Sequence, residues 1–453
     1  MTGAVRGRPA GRTTSFQTGS KHPRSGLVES HTVLDGDDTN GQTTPMHPHP
    51  LPLFGSAGAL MLVLGIGTAA EPVATINIGA GGSARMNSPV AFAVPPEMQS
   101  ARLSASDSRG QPVPLQLDAN GTGWLLVRDL PARSQAAIQL HRRVPDTPEG
   151  ISVHRVGRKV EVWQGRRRVM DYQAEPGELP RGDIDPAFVR GGYLHPIMTP
   201  SGTVITDDFP PNHIHHHGIW FPWTKTRFED REPDFWNMGQ KKGRVEFVRL
   251  DRHWSGPVHG GFVAEHRFVD LLAPEGKMVL NETWQLRTYP TAAGDRQVWM
   301  FDLESTQTCA TDSPLLLPEY HYGGLGFRGH WDWNGAANTR FLTSNGETDR
   351  VKGHATRANW CFIGGETGGR PAGIAILCHP DNFRAPQPMR LHPTEPFFCF
   401  APQQLGDMSI EPGKPYVSRY RFIVMDGAPD RAQIDAWWRD YAEPPKVEVT
   451  WTN

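Results

Sequence analysis

Four histidines of this chain fall within five positions, in a stretch of residues 193–218 that reads YLHPIMTPSGTVITDDFPPNHIHHHG. Imidazole titrates near neutral pH and is the commonest metal ligand, so this crowding predicts acid–base and binding chemistry or a metal site. In an extended segment the first, second and fourth would share one face, whereas the two preceding prolines also allow an irregular loop in which that alternation fails. The four residues are His213, His215, His216 and His217.

A metal ion would need several of these histidines in reach. Alternate residues of a strand lie roughly 6.5–7 Å apart, so His213 and His215 could share an ion, but a third ligand two positions further on would be strained. We therefore favour a cluster without a metal, in which His213, His215 and His216 serve in proton transfer and binding. Zn, Cu or Fe held by His213 and His215 is the alternative.

Aromatic residues follow the histidines closely. A flat ring beside polar donors suits a sugar, whose CH face stacks while its hydroxyls form hydrogen bonds. We predict Trp220 and Trp236 as stacking platforms and His195, in the same stretch, as a further ligand contact. The other interpretation is that half or more of these rings fill a core. The rings are Trp220, Phe221, Trp223, Phe235 and Trp236.

Two later stretches add candidate groups. Residues 318–335 read PEYHYGGLGFRGHWDWNG, where Glu319 and Tyr322 are candidate acids or bases. His321 and Arg328 are predicted ligand contacts, because a guanidinium can hold a carboxylate or hydroxyls with two parallel hydrogen bonds. Residues 377–386 read LCHPDNFRAP, a strand end opening into a loop, and contribute His379 and Asn382 as binding residues.

Composition bounds the fold and the partners. The 453 residues carry 46 basic and 48 acidic side chains without long runs of either sign, which gives no electrostatic reason to expect nucleic acid. The high counts of glycine and proline, with 14 Trp and 20 Phe, predict an all-β protein of many short strands. No motif of a serine hydrolase, a P-loop, a zincin or a dinucleotide-binding fold is present in its required context.

The chain divides into a leader and two β regions. Residues 1–45 are predicted to be a disordered or mis-started tail, and residues 46–70 are predicted to be a signal peptide. The protein is therefore expected to be exported to the periplasm or the extracellular space. We expect no membrane contact after cleavage. Residues 71–145 predict a small β-sandwich, followed by a linker at about 143–150. Residues 151–442 predict a large antiparallel β domain ending in one helix, capped by Asp430.

Four cysteines lie in the last third of the chain. None has the spacing of a metal site, and each stands among apolar residues, so buried free thiols are favoured over the disulfides that export would permit. They are Cys309, Cys361, Cys378 and Cys399.

Six motifs, taken in order, resemble a bacterial family labelled methane oxygenase PmoA over roughly residues 155–440: YLHPIMTPSG, NHIHHHGIWF, DFWNMG, YGGLGFRG, CHPDNFR and SRYRFIVMDG. The family pattern DHPHHRG places its acidic position at Asn212 and its arginine at His217, so a metal face that includes His217 would not be a family trait. The methane chemistry of the label is not carried over, because such an oxygenase subunit is a bundle of membrane helices. The resemblance implies an exported β-sandwich protein of polysaccharide-degrading bacteria, with a galactose-mutarotase-like supersandwich fold similar to that of sugar epimerases and glycan lyases.

The leading functional hypothesis is a carbohydrate-active enzyme, a hydrolase or lyase with a saccharide ligand. Elimination would use a histidine and Tyr322 as base and acid, whereas hydrolysis would need two carboxylates, for which Glu319 and Asp332 are the candidates. Two alternatives stay open, a metal-dependent oxidase or oxygenase and a glycan-binding protein without catalysis.

Overall fold

The computed structural model describes residues 71–143, 150–291 and 297–452. The predicted tail (1–45), the predicted signal peptide (46–70) and all but the two end residues of the predicted linker (143–150) lie outside the described residues. The fold is all-β, as predicted, and its sheets are antiparallel. Within the described ranges, no helix has the length and apolar character needed to cross a membrane.

The first seven strands form two small sheets around a core of their own. Strands β2, β6 and β5 form one sheet, and β1, β7, β3 and β4 lie side by side in the other. The bounds are β1 (Ala74–Gly79), β2 (Arg85–Ala93), β3 (Leu103–Ser106), β4 (Pro112–Val113), β5 (Leu115–Leu117), β6 (Thr122–Leu130) and β7 (Gln135–Arg142).

The rest of the described chain supplies nineteen further strands before its long helix and one strand after it. They begin with β8 (Ile151–Val156), β9 (Lys159–Gln164), β10 (Arg167–Gln173), β11 (Tyr193–Ile197), β12 (Ile219–Trp220), β13 (Arg227–Phe228), β14 (Gly243–Trp254), β15 (Gly260–Asp270), β16 (Lys277–Tyr289) and β17 (Val298–Cys309). They continue with β18 (Leu315–Leu317), β19 (Leu325–Arg328), β20 (Arg340–Thr343), α1 (Arg350–Gly353), β21 (Trp360–Thr367), β22 (Arg370–Cys378), β23 (Met389–Leu391), β24 (Phe397–Phe400), β25 (Met408–Ile410), β26 (Tyr416–Asp426), α2 (Arg431–Ala442) and β27 (Lys446–Trp451).

Two eight-stranded sheets form the large sandwich. The site sheet, named for the cluster at its end, has the order β23-β24-β19-β12-β11-β10-β9-β8. The meander sheet has the order β14-β15-β16-β17-β26-β22-β21-β20. One continuous apolar core joins them, and a three-stranded sheet of β13, β18 and β25 adds to it. In the meander sheet, strands β14, β15, β16 and β17 are consecutive antiparallel neighbours and form a long meander, as expected for the predicted antiparallel domain.

Alternation along β17 shows how the sequence builds this sandwich. Phe301 and Leu303 belong to the core between the sheets, whereas Asp302 and Glu304 are only part-buried on the outer face. Side chains of a strand alternate between faces, so one strand supplies both the core and a polar outer surface.

The predicted helix is present as α2. Asp430 caps it by accepting a hydrogen bond from the Gln433 amide at 3.2 Å. Ile434 and Trp437 pack on the outer face of the meander sheet, so the apolar and aromatic side of this helix is a packing face. One strand was not predicted. β27, which follows α2, pairs with β1 and adds a fifth strand to the small sheet of β1, β7, β3 and β4.

A buried polar network crosses the sandwich core. Glu282, which is 2% exposed, accepts hydrogen bonds from Ser305 (2.6 Å) and Gln307 (2.9 Å) and contacts His266 at 3.0 Å. His266 in turn meets the Tyr172 hydroxyl at 2.6 Å. Buried polar groups need such partners, so Glu282 is the acceptor on which the network depends.

The four cysteines are unpaired, and three are fully buried. Burial raises the pKa of Cys378 to about 11 and that of Cys399 to about 12, so both are protonated thiols at neutral pH. The prediction of buried free thiols is confirmed for Cys361, Cys378 and Cys399, whereas the free thiol of Cys309 is only part-buried.

Candidate active site

The sheet register brings three loops to one end of the site sheet. Strand β12 starts directly after the histidine loop (residues 210–218), and its Ile219 pairs with Phe327 near the end of β19. Arg328, at that end, pairs with Phe397 at the start of β24. Antiparallel pairing therefore places the histidine loop, residues 329–334 and residues 392–396 side by side.

Arg328 ties these loops together. Its side chain is fully buried and donates to Glu395 Oε2 at 3.0 Å, to Asn334 Oδ1 at 2.8 Å and to Asn212 Oδ1 at 3.1 Å. Asn212 also donates to Glu395. The guanidinium predicted to clamp a ligand is thus occupied with positioning the loops.

The histidine loop is irregular, so the alternation expected for a strand is wrong here. The His216 amide donates to the His213 carbonyl at 2.8 Å, which folds the segment into a turn. The rings of His213 and His216 stack with centroids 4.7 Å apart, and His215 meets them at 5.8 and 4.7 Å. His217 points elsewhere, so the cluster consists of His213, His215 and His216.

A fourth imidazole, which sequence reasoning missed, joins the cluster from the neighbouring loop. His392 lies with its ring centroid 5.6 Å from that of His213, and its Nδ1 accepts a hydrogen bond from the Glu395 amide at 2.9 Å. The HPTEP segment that follows β23 resembles the HPDN segment that drew attention to His379. That likeness is the signal that could have identified His392.

The cluster is held in its neutral form. Burial lowers the pKa of His215 to about 4, and burial with the nearby charge of Arg390 lowers that of His392 to about 3. Burial also lowers the pKa of His213 and His216, although the Glu395 carboxylate partly offsets the change at His213. Neutral imidazoles can accept protons, so the cluster is suited to general-base chemistry.

These shifts predict a stability that depends on pH. In the unfolded chain His392 is protonated below about pH 6.5, whereas in the folded protein it is protonated only below about pH 3. The free energy of unfolding therefore falls as the pH falls through the window from about 6.5 to about 3. Arg390, His213, Arg328 and Arg350 all act against protonation of this ring.

The test compares denaturation midpoints of the wild type and His392→Asn at neutral pH and at about pH 4.5, inside this window. We expect the variant to lose less stability on acidification. Asp208, whose pKa is raised to about 6, acts in the opposite direction in both proteins and cancels in the comparison. Parallel losses in the two proteins would contradict the assignment.

His217 forms a separate buried pair with a carboxylate. Its Nδ1 lies 2.6 Å from Asp208 Oδ1, and Asp208 Oδ2 accepts the Tyr193 hydroxyl at 2.9 Å. Burial raises the pKa of Asp208 to about 6, so at neutral pH it is a carboxylate. It accepts a hydrogen bond from the N–H at His217 Nδ1. Asp208 therefore orients a histidine, the role that Asn212 cannot fill. His195 lies close to this pair and contacts Thr206 Oγ1 at 3.0 Å.

Tyr322 stands on the other side of an aromatic cluster. Its ring is 5.2 Å from that of Trp236, which lies 6.1 Å from His216, and its hydroxyl accepts a hydrogen bond from Asn237 at 3.2 Å. Burial raises the pKa of Tyr322 to about 12, so the phenol keeps its proton at neutral pH. It borders a polar pocket of about 270 Å³ that also contains Asp234, Lys242 and Tyr320.

Arg390, on β23 opposite Cys399, interacts electrostatically with both His392 and Tyr322. Burial and then the charge of Arg390 lower the pKa of His392 and of His321, and Tyr322 and Tyr320 act in turn on Arg390. Its Nη1 is 3.4 Å from His354 Nε2. No carboxylate of the described ranges forms an ion pair with this part-buried guanidinium, which makes it the cation available to an anionic ligand.

The predicted platforms Trp220 and Trp236 cannot stack on a sugar in this structure. They are 0% and 1% exposed and pack with Tyr193, Phe397 and Cys399 on the face of the site sheet that points away from the main core. Trp331 is 46% exposed, and its carbonyl accepts a hydrogen bond from Asn334 at 2.7 Å. This ring, within the predicted stretch 318–335, is the accessible aromatic surface beside the cluster.

The remaining predicted residues lie apart. Glu319 is exposed, with its amide bonded to Asp407, and no contact joins it to Asp332. Asn382 is buried. Its side-chain nitrogen donates to the Arg419 carbonyl and its side-chain oxygen accepts from the Arg419 amide, which is a structural role. His379 packs against Tyr441 beside the meander sheet.

Across the described residues, no three His, Cys, Asp or Glu side chains are arranged to hold a metal ion. No curated protein matches the chain. One family model matches residues 159–439, a range that contains the histidine loop, Arg328, Arg390 and Glu395. Because that match covers more than half of the sequence, the chain belongs to the family of unknown function DUF6807.

Proposed function

We propose that the protein is an exported carbohydrate-active enzyme that cleaves an acidic glycan or oligosaccharide by elimination at the histidine cluster. The observation that carries the proposal is Arg390, a part-buried cation without a carboxylate partner in the described chain, which interacts electrostatically with the neutral His392 and with the protonated Tyr322. The proposed export depends on residues 46–70, which lie outside the described ranges.

Arg390 supplies what elimination from a uronate needs first. Its guanidinium pairs with the sugar carboxylate and draws charge from it, so the proton on the neighbouring carbon becomes more acidic. Trp331 offers an exposed face on which a sugar ring can stack. Arg328 contributes indirectly by holding the loops in register.

The proton then moves between two side chains of the site. Neutral His213 accepts the proton of the carbon beside the carboxylate, and that C–H electron pair becomes a carbon–carbon double bond as the bond to the leaving oxygen breaks. Tyr322 protonates the leaving oxygen, which requires its hydroxyl and His213 to face the same sugar unit across the edge of the aromatic cluster that contains Trp236. Solvent returns a proton from His213 to Tyr322, so the step consumes no water, oxidant or reductant.

Hydrolysis by two carboxylates is less well supported. Glu319 and Asp332 are both exposed and have no contact with each other, and Glu395 is bound to Arg328. A glycosidase of the two-carboxylate type needs a pair that faces one bond across about 5–9.5 Å. The described loops around the cluster offer no such pair.

The experiment is a panel of acidic and neutral oligosaccharides, assayed for new chain ends with the wild type and with Tyr322→Phe. We expect cleavage of a uronate-containing glycan and a loss of about 10²–10⁴-fold in kcat in the variant, the range for removal of a general acid. Tyr320→Phe is the matched control, because its ring lies 5.0 Å from that of Tyr322 and has no role in the step.

Three results would overturn the proposal. Binding of a glycan without cleavage would leave a glycan-binding protein. Cleavage or oxidation that appears only with added copper, iron or zinc would favour the metal-dependent alternative. Equal losses in Tyr322→Phe and Tyr320→Phe would remove the acid from the mechanism.

A further inference from the structure

A second cleft lies between the small β-sandwich and the outer face of the meander sheet. Its volume is about 400 Å³, within the usual range of small-molecule pockets. The small sandwich contributes Trp124, and the C-terminal region contributes Tyr441 and His379. The floor consists of polar side chains that β16, β17 and β26 direct away from the core, so it is a site distinct from the histidine cluster.

The charges on this floor do not balance. Arg421 pairs with Asp302 through two hydrogen bonds of 2.7 and 2.9 Å, and Arg419 pairs with Glu304 at 2.7 Å. Arg287 is the third arginine. In the described chain it has no carboxylate partner, and its Nε is buried without a hydrogen bond.

The position of Arg287 is fixed by its neighbours. Its guanidinium lies 5.3 Å from the centroid of the Trp124 ring, so a cation–π contact holds it across the boundary between the two β regions. The Gln285 amide, turned so that its oxygen faces the arginine, accepts from Nη2 at 2.9 Å. A guanidinium that is fixed in this way and forms no ion pair with a described carboxylate is suited to bind a ligand carboxylate with two hydrogen bonds.

The cleft continues beyond Arg287. A neighbouring depression of about 270 Å³ shares Arg287 with it and is lined by Asn120, Arg252 and Trp254, and by Asp118, whose carboxylate accepts the Trp124 indole N–H at 2.9 Å. An elongated ligand could therefore lie across both depressions with its charged group at their junction. Part-buried rings at either end, Tyr441 and Trp254, provide surfaces for sugar units.

We infer that this cleft binds an acidic oligosaccharide, with one uronate carboxylate on Arg287 and the adjoining sugar unit in the depression beside Trp254. The saccharide class rests on the proposed function, whereas the need for an acidic group rests on Arg287 alone. The cleft would hold the polymer while the histidine cluster acts on it, and its binding requires no turnover.

The test is calorimetric titration of the full chain with glucuronate, with a uronate disaccharide or trisaccharide, and with glucose. We expect the acidic sugars to bind and the oligosaccharide to bind more tightly than glucuronate. Arg287→Met should weaken acidic-sugar binding by about 10- to 100-fold, as expected for the loss of a charge-assisted pair. Arg287→Lys, which keeps the charge, should bind acidic sugars with an affinity between those of the wild type and Arg287→Met.

Arg267→Met is the matched control, because Arg267 is an exposed arginine on β15 that pairs with Glu246 outside the cleft. Equal affinity for glucose and glucuronate would overturn the inference. It would also be wrong if Arg390→Met removed all acidic-sugar binding and Arg287→Met removed none, since the sugar would then bind at the histidine cluster alone. That second outcome would leave the proposed function standing.

Discussion

Replacement of His213 by glutamine is expected to lower kcat on an acidic glycan by about 10²–10⁴-fold, because the variant loses the proton acceptor of the elimination. His213 is the suited base of the cluster, since the Glu395 carboxylate counteracts the burial that lowers its pKa. His215, with a pKa of about 4, is a weaker base, and His216 is buried. KM should change little, because Arg390 and Trp331 still hold the sugar.

The control for this variant is His253→Gln, an exposed histidine on β14 at the edge of the meander sheet. It should retain wild-type rates. The pH profile gives a second readout, because a base with a lowered pKa keeps its activity at pH values below the ordinary imidazole range. A His213→Gln enzyme with a wild-type rate would show that another group removes the proton.

The largest effect on stability is expected for Glu282→Ala. The change leaves the buried donors of Ser305 and Gln307 without their acceptor and removes the partner of His266. Breaking a buried pair in this way costs about 3–5 kcal/mol of unfolding free energy. Urea denaturation followed by circular dichroism measures the loss, and Glu282→Gln, which keeps an acceptor oxygen, should lose less.

Glu366→Ala is the control for this prediction. Glu366 is an exposed carboxylate on β21 that pairs with the exposed Arg340, and such surface pairs contribute about 0–1 kcal/mol. If Glu282→Ala and Glu366→Ala lowered stability equally, the buried network would have no special role in holding the two sheets together.

Much of the fold could be predicted from local sequence patterns. The period-two alternation of β14 to β17 and the capped, aromatic repeat of α2 are short-range signals that tertiary contacts reinforce. The strand β27 was not predicted, because its partner β1 lies at the other end of the described chain and no local pattern indicates that pairing.

The site was predicted only in part, for a related reason. The histidine loop stood out by composition, but His392, Glu395 and Arg390 reach it through the register of β19, β24 and β23. For Glu395 and Arg390 no local pattern indicates this proximity, whereas His392 stands in an HPTEP segment that resembles the HPDN segment at His379. Asp208 was overlooked because its role depends on a turn that places it beside His217.

The aromatic residues show a second limit of sequence reasoning. Trp220 and Trp236 follow the histidines as a sugar platform would, yet both are buried because the site sheet is covered on its outer face as well as its inner one. Aromatic density marks a core and a sugar site equally well. Exposure distinguishes the two roles. Trp331 is 46% exposed and can contact a sugar, whereas Trp220 and Trp236 cannot.

The most direct test of the account is the mass and absorbance of the products formed from a uronate oligosaccharide. Elimination predicts two fragments whose masses add up to that of the substrate, one of which carries a new ultraviolet-absorbing double bond, with formation lost in His213→Gln. Fragments whose masses add up to the substrate plus one water, without the new absorbance, would show hydrolysis and contradict the assignment of His213 and Tyr322 as base and acid.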